Sequence, residues 1–189
     1  MTFEQMVKDL IKPGKDILST LTPEKCHLLH CALGIGGEGA EVLACMDNSL
    51  FCKKFDRTNA IEELGDLEFY LEALPEEYKS RVSRFSDNQQ KQQWGAETAR
   101  AMSIICVESG VLMDLIKKVV IYDKQGASDD IKQAVYDVYV SMDLFYSYTG
   151  ITKQNAIDAN MVKLLTGKNA RYKQGTYTNQ QAQDRNDKR

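Results

Sequence analysis

Two short segments of the chain each carry a pair of acids three residues apart. GEGAEV holds Glu38 and Glu41, and EELGDLEFY holds Glu63 and Asp66. Residues at this spacing project from the same helix face, with Cβ atoms about 5–6 Å apart, so each pair can hold one cation between its carboxylates. Two such helices packed together would gather four carboxylates, which repel one another unless protons or metal ions neutralise them.

The ligand type indicates which metal such a site would prefer. Carboxylate oxygens favour Mg²⁺, with Mn²⁺ as the alternative, over zinc. Bound Mg²⁺ keeps waters and commonly shares its shell with substrate phosphates, which makes a nucleotide the expected substrate class. Acids at this spacing are also common on solvated helix faces. The apolar neighbours of both pairs, such as Leu43 and Leu64, favour a binding site over a solvated face.

A di-iron carboxylate bundle is an alternative that also places acids inside a helical bundle. It requires a Glu-x-x-His motif on each of two helices. The chain has two histidines, and only Glu24 and His27 form such a motif. We therefore expect His27 and His30 to pack near the site rather than to bind a metal.

The elements that must position these acids are predicted to be helices throughout. Three prolines and little strand-like alternation indicate an all-α fold. Thr22 followed by Pro23 is typical of a helix start, and Asn59 with Glu62 is typical of a second one. The apolar periodicity predicts helices over residues 22–46, 59–75, 92–123, 129–148 and 154–165.

Four glycines, Gly34, Gly36, Gly37 and Gly39, fall inside the first predicted helix. Each costs a helix about 1 kcal/mol relative to alanine. Small residues permit close helix packing, so we expect the backbone to touch a neighbour at this point.

The two halves of the chain resemble each other. EGAEVLACMD aligns with ESGVLMDLIKK, and EELGDLEFY with QAVYDVYVS, which matches Glu38 with Glu108 and Asp66 with Asp137. The alignment predicts a four-helix assembly of two fused hairpins. The expected organisation is a domain over 1–166, with a metal-binding hairpin over 22–78 and a degenerate hairpin over 90–150, followed by a basic segment over 167–189.

Composition and charge narrow the class of protein. With 189 residues and 43% apolar content, the chain can form a core without disulfides, and its five cysteines are expected to be reduced thiols, mostly in that core. The net charge of −3 divides into +5 for residues 163–189 and −8 for the remainder. We expect a cytoplasmic protein without a membrane partner, because no apolar run approaches about 18 residues.

These motifs resemble the all-α nucleoside triphosphate pyrophosphohydrolases, the MazG-like group that includes dimeric dUTPases and phosphoribosyl-ATP pyrophosphohydrolase. Glu-x-x-Glu followed by Glu-Glu-Leu-Gly-Asp is the acid signature of that family. The segment NMVKLLTGKNARY looks like the Asn-x-x-Lys and Arg-Tyr segment that closes its small members, often found in bacteriophages. The likeness covers roughly residues 28–74 and 160–187. It implies a four-helix-bundle-like fold and Mg²⁺-dependent hydrolysis of a nucleoside triphosphate to the monophosphate and pyrophosphate. The sequence does not identify the base or the sugar, and we expect a deoxynucleotide.

The resemblance also implies roles for individual residues. The four acids would hold Mg²⁺, and either Glu38 or Glu41 would act as the catalytic base. Lys54, Lys163 and Arg171 would neutralise the triphosphate. Contacts to the base would come from Asn160, Tyr172 or Phe51.

Other functions fit the same residues. A nucleotide sensor or sequestering protein could keep the pocket without turnover, and a structural bundle could carry the acids incidentally. Nucleic-acid binding by the basic segment is disfavoured, because aromatic residues are sparse there. Apolar helix faces left uncovered would favour a homodimer.

Overall fold

The computed structural model describes residues 1–52, 55–79, 95–172 and 176–184, without the side chains of 47–52. Within these ranges the regular structure is helical and contains no strand, which confirms the all-α prediction. The α-helices are α1 (Phe3–Leu10), α2 (Gly14–Leu18), α3 (Pro23–Cys52), α4 (Arg57–Glu72), α5 (Ala96–Tyr122), α6 (Ser128–Thr149), α7 (Lys153–Met161) and α8 (Asn179–Asp184). A 3₁₀ turn at Glu76–Tyr78 follows α4, and one π-helical turn at Val162–Thr166 follows α7.

The start of α3 is as predicted, whereas its end and the start of α4 are not. The Thr22 hydroxyl accepts a hydrogen bond from the backbone N–H of Lys25 at 3.3 Å, as an N-cap does. The helix continues to Cys52, beyond the predicted end at residue 46. The cap predicted at Asn59 is wrong: the Asp56 carboxylate accepts from the Asn59 N–H at 3.0 Å, so α4 begins at Arg57.

The later helices follow the prediction with two differences. The helix predicted over 92–123 begins at Ala96, because the backbone of Gly95 is extended and acts as its N-cap, so the predicted start is wrong; residues 92–94 lie outside the described residues. The helix predicted over 154–165 is α-helical only over Lys153–Met161, and a capping box between Thr152 and Asn155 fixes its start. The π turn then carries the chain to Thr166. Helices α1, α2 and α8 were not predicted.

The four long helices form two hairpins that pack against each other. Helices α3 and α4 make one hairpin, α5 and α6 make the other, and the contact of α3 with α5 joins them. Helix α7 packs on α4. The Arg57 guanidinium donates to the carbonyls of Thr149 and Gly150, at 2.8 and 3.1 Å, which fixes the start of α4 to the end of α6. Two hairpins agree with the predicted arrangement, while their origin by duplication stays a prediction.

Three of the four α3 glycines lie at helix contacts. A Cβ on Gly34 would lie 2.4 Å from the Tyr70 ring of α4. A Cβ on Gly36 would lie 2.7 Å from the sulfur of Met113, which belongs to α5. A Cβ on Gly39 would lie 2.6 Å from the side chain of Ser109, also of α5. The expectation of close backbone contact is therefore confirmed at these three positions. Gly37 faces open space, so there the expectation is wrong.

Buried apolar side chains from α3, α4, α5 and α6 form one core. It includes Ile35, Leu64, Leu112 and Phe145, and Ala156 of α7 joins it. The cysteines with described side chains are free thiols: Cys31 and Cys45 are buried, Cys106 is half-buried and Cys26 is exposed.

One segment of α3 bears on the membrane prediction. By length and composition alone, Pro23–Met46 could cross a membrane, so the expectation that no segment is apolar enough was too strong. In this fold the segment packs against α4 and α5. The cytoplasmic location, the lack of a membrane partner and the homodimer stay predictions. Exposed apolar residues such as Leu33 and Val107 are available for contact with a second copy.

Candidate metal centre

Three glutamates from the first hairpin meet at one point. One carboxylate oxygen from each of Glu38, Glu41 and Glu63 lies within 4.8 Å of the others. Glu63 is 4% exposed, Glu38 is half-buried and Glu41 is exposed. The cluster therefore has a buried floor and opens to solvent beside Glu41. Three of the four predicted metal ligands are gathered here.

The contact between Gly34 and Tyr70 explains why these acids meet. Helices α3 and α4 form a hairpin, and a side chain on Gly34 would collide with the Tyr70 ring. Glu38 lies one turn after Gly34 on α3, and Asp66 lies one turn before Tyr70 on α4. This register therefore places Glu38 opposite Asp66. The next turn places Glu41 opposite Glu63. The absence of a side chain at Gly34 therefore permits the close approach of α3 and α4 that aligns both acid pairs.

Burial and mutual repulsion raise the pKa of two of the acids, Glu38 and Glu63. Burial first, and then the charges of Asp66, Glu41 and Glu63, raise the pKa of Glu38 to about 7. Burial first, and then the charge of Glu41, raise the pKa of Glu63 to about 7. Near neutral pH each carboxyl therefore holds a proton for part of the time, and a divalent cation binding here would displace those protons.

Asp66, the fourth predicted ligand, already has two donors from the α7 end of the molecule. The Asn160 amide nitrogen donates to Asp66 Oδ1 at 2.6 Å, and the Lys163 ammonium donates to Oδ2. Lys163 also pairs with Glu62 Oε1 at 3.1 Å. Burial disfavours the ammonium form, but the hydrogen bonds from Lys163 to Asp66 and Glu62 raise its pKa overall. The lysine is therefore a fixed positive charge beside the glutamate cluster.

Sequence reasoning missed the part played by Glu62. It lies one turn before Asp66 on α4, so the two carboxylates flank the Lys163 ammonium from the same helix face. The spacing from Glu62 to Asp66 was a signal for this. The partner could not be identified from it, because Lys163 is far away in the chain.

Close packing of α7 on α4 holds Asn160 and Lys163 in place. A Cβ on Gly65 would lie 2.5 Å from the Ala156 carbonyl oxygen and 3.0 Å from Asn160 Cβ. The backbone N–H of Arg171 donates to the Lys163 carbonyl at 3.0 Å, and that of Tyr172 donates to the Leu164 carbonyl at 2.8 Å. The chain after the π turn thus folds back over the lysine.

The remaining predicted substrate residues are less closely joined to the acids. Arg171 lies close enough to Tyr70 for its charge to act on the phenol. Burial first, and then the charges of Glu38 and Asp66, raise the pKa of Tyr70, and the charge of Arg171 lowers it. The Tyr172 ring packs against Tyr177, with centroids 5.9 Å apart. Lys54 and the side chain of Phe51 lie outside the described residues.

A surface cavity of about 410 Å³ is lined by both Glu62 and Lys163. Its wall is mostly apolar, with polar groups from α4, the π turn and the segment after it. Thr58 of α4 and Lys168 also line it. Because Lys163 pairs with Asp66 as well as with Glu62, this cavity lies next to the fourth predicted metal ligand.

A second buried acid of α4 lies outside this site. Glu68 is 5% exposed, accepts a hydrogen bond from the Tyr146 hydroxyl at 3.3 Å and pairs with Lys153 at 3.3 Å. It belongs to the contacts among α4, α6 and α7 and supplies a matched control for Glu63.

Comparison with protein-family models, curated proteins and solved structures finds no match for this chain.

Proposed function

We propose that this protein is a Mg²⁺-dependent nucleoside triphosphate pyrophosphohydrolase of the MazG-like type. The observation that supports this most directly is the meeting of three glutamate oxygens within 4.8 Å, contributed by both acid motifs. An oxygen-only set on two helices, open to solvent at one side, suits Mg²⁺ or Mn²⁺. The raised pKa values of Glu38 and Glu63 fit the same interpretation, because a cation would relieve the repulsion that causes them.

The residues around the cluster would divide the work of hydrolysis. Glu38, Glu41 and Glu63, joined by Asp66, would hold the metal. A bound Mg²⁺ supplies charge neutralisation at phosphate oxygens and a more acidic bound water. Glu38 or Glu41 would accept the proton of the attacking water.

Cationic side chains beside the cluster would bind the phosphate chain. Lys163 lies next to the acids, and Arg171 acts on Tyr70 in the same region. Arg171 can bind phosphate oxygens with two parallel hydrogen bonds, whereas Lys163 offers a point charge. Together these cations would hold the phosphate chain beside the acids that would bind the metal.

The test is a panel of the eight common ribo- and deoxynucleoside triphosphates with millimolar Mg²⁺ and separation of products. The proposal predicts monophosphate plus pyrophosphate from at least one deoxynucleotide. It also predicts loss of turnover in Glu38→Ala and in excess EDTA. Glu108→Ala is the matched control, because the alignment of the two halves pairs Glu108 with Glu38 while Glu108 lies outside the cluster.

Two results would contradict the proposal. Diphosphate plus phosphate as products would indicate a different bond cleavage. Absence of turnover, with metal-dependent nucleotide binding retained, would favour the sensor function instead.

A further inference from the structure

Lys163 lies between two carboxylates of α4 and is itself almost buried. Its side chain is 7% exposed, and its ammonium contacts Asp66 Oδ2 and Glu62 Oε1. Asp66 is thereby occupied at both oxygens, since Asn160 donates to the other one. Both oxygens of the fourth predicted metal ligand therefore accept hydrogen bonds from donors of the protein.

We infer that Lys163 is an internal counter-cation that a divalent metal displaces from Asp66, and that the released ammonium then binds a polyphosphate anion. This inference rests on the proposed function and concerns regulation of the same site. It makes metal binding and phosphate binding mutually dependent, beyond the direct bonds between metal and phosphate.

The charge balance around Asp66 supports this exchange. Two carboxylates, those of Glu62 and Asp66, contact the Lys163 ammonium, and its charge also reaches Glu38 and Glu63 of the glutamate cluster. A divalent ion bound among the glutamates would attract the Asp66 carboxylate more strongly than the Lys163 ammonium does. Two cations on one carboxylate oxygen repel each other, so metal ligation by Asp66 would weaken its bond to Lys163.

The adjoining cavity supplies a place for the released ammonium. Lys163 already lines this cavity, so a modest side-chain movement would turn its ammonium away from Asp66. Lys168 and the Thr58 side chain line the same space. These groups would receive an anion with several oxygens, and the phosphate chain of a nucleotide has that chemistry.

The first experiment measures binding of Mn²⁺ alone by electron paramagnetic resonance, without nucleotide. Lys163→Met keeps an unbranched side chain and removes the competing cation. It should bind Mn²⁺ roughly tenfold more tightly than the unsubstituted protein. Lys153→Met is the matched control, because Lys153 is also a lysine of the α7 region that pairs with a buried acid of α4, Glu68. It should leave the Mn²⁺ affinity unchanged.

A double-mutant cycle separates displacement at Asp66 from a general charge effect. In an Asp66→Asn background, Lys163→Met should change the Mn²⁺ affinity by less than about twofold. An equal tightening in both backgrounds would mean that Lys163 acts only through its distant field, and would overturn the inference.

A second probe tests the other half of the exchange. Inorganic tripolyphosphate should bind the unsubstituted protein more tightly when Mn²⁺ is present, and Lys163→Met should reduce this enhancement roughly tenfold. Unchanged enhancement would overturn the inference while leaving the metal site intact. If neither the unsubstituted protein nor Lys163→Met binds Mn²⁺, the proposed function and the inference both fail.

Discussion

Replacing Glu63 by glutamine should stabilise the protein when no metal is bound. Glutamine keeps the shape of the side chain and removes the charge that burial and Glu41 disfavour. Most substitutions of a buried polar residue destabilise a protein, so a gain in stability is a discriminating result.

The size of the effect follows from the pKa of Glu63, which is raised from 4.5 to about 7. One pKa unit corresponds to about 1.4 kcal/mol, so the ceiling is about 3 kcal/mol. Solvent reaches the cluster beside the exposed Glu41 and screens part of the repulsion. We therefore expect Glu63→Gln to raise the free energy of unfolding by about 1–2 kcal/mol at about pH 8.

The pH dependence has a definite sign. Below a pH of 4.5 the Glu63 carboxyl is protonated in the folded and the unfolded protein, and it imposes no penalty. Between this value and about 7 the folded state binds more protons, so stability falls as pH rises. Above that range the penalty is complete. The gain from Glu63→Gln should therefore be small at about pH 5 and full at about pH 8.

Urea unfolding with EDTA at both pH values measures this gain. Glu68→Gln is the control: it weakens the contacts of Glu68 with Lys153 and Tyr146, and should destabilise the protein at both pH values. Lower stability of Glu63→Gln at the higher pH would show that the charged Glu63 carboxylate does not destabilise the folded protein. An equally large gain in stability at the lower pH would show the same. Added Mg²⁺ should stabilise the unsubstituted protein more than Glu63→Gln.

Three glycine substitutions test how the helices position the site, with urea unfolding as the common measurement. Gly34→Ala should cost about 2 kcal/mol, because the new methyl would lie 2.4 Å from the Tyr70 ring. Gly37→Ala, with nothing within 4 Å, should instead gain about 0.5–1 kcal/mol; equal effects at the two positions would contradict this account. Gly65→Ala should cost about 2 kcal/mol and speed hydrogen exchange in α7, because its methyl would lie 2.5 Å from the Ala156 carbonyl. Unchanged exchange in α7 would argue against that contact.

Local signals in the sequence were enough to predict most of the fold. Thr22 and Pro23 define the start of α3 because capping depends on the nearest residues. The same rule failed at Asn59 because Asp56, three residues earlier, can cap as well, and its carboxylate accepts from the Asn59 N–H. The acid pairs were predictable because a spacing of three places both carboxylates on one face.

The rest of the site depends on contacts between distant parts of the chain. The glycines indicated close packing, but only the structure identifies Tyr70 as the partner that sets the register of α3 and α4. The pairing of Lys163 with Glu62 and Asp66 requires α7 to pack on α4, which no local pattern encodes. The family resemblance supplied Asn160 and Lys163 as candidates, and the structure places both on Asp66.

An anomalous difference map from crystals soaked in Mn²⁺ would show whether Glu38, Glu41 and Glu63 bind a divalent metal. We expect a peak among these three carboxylates in the unsubstituted protein and none in Glu63→Gln. A map without a peak there, or with peaks only at surface acids such as Asp114, would mean that the three glutamates do not form a metal site.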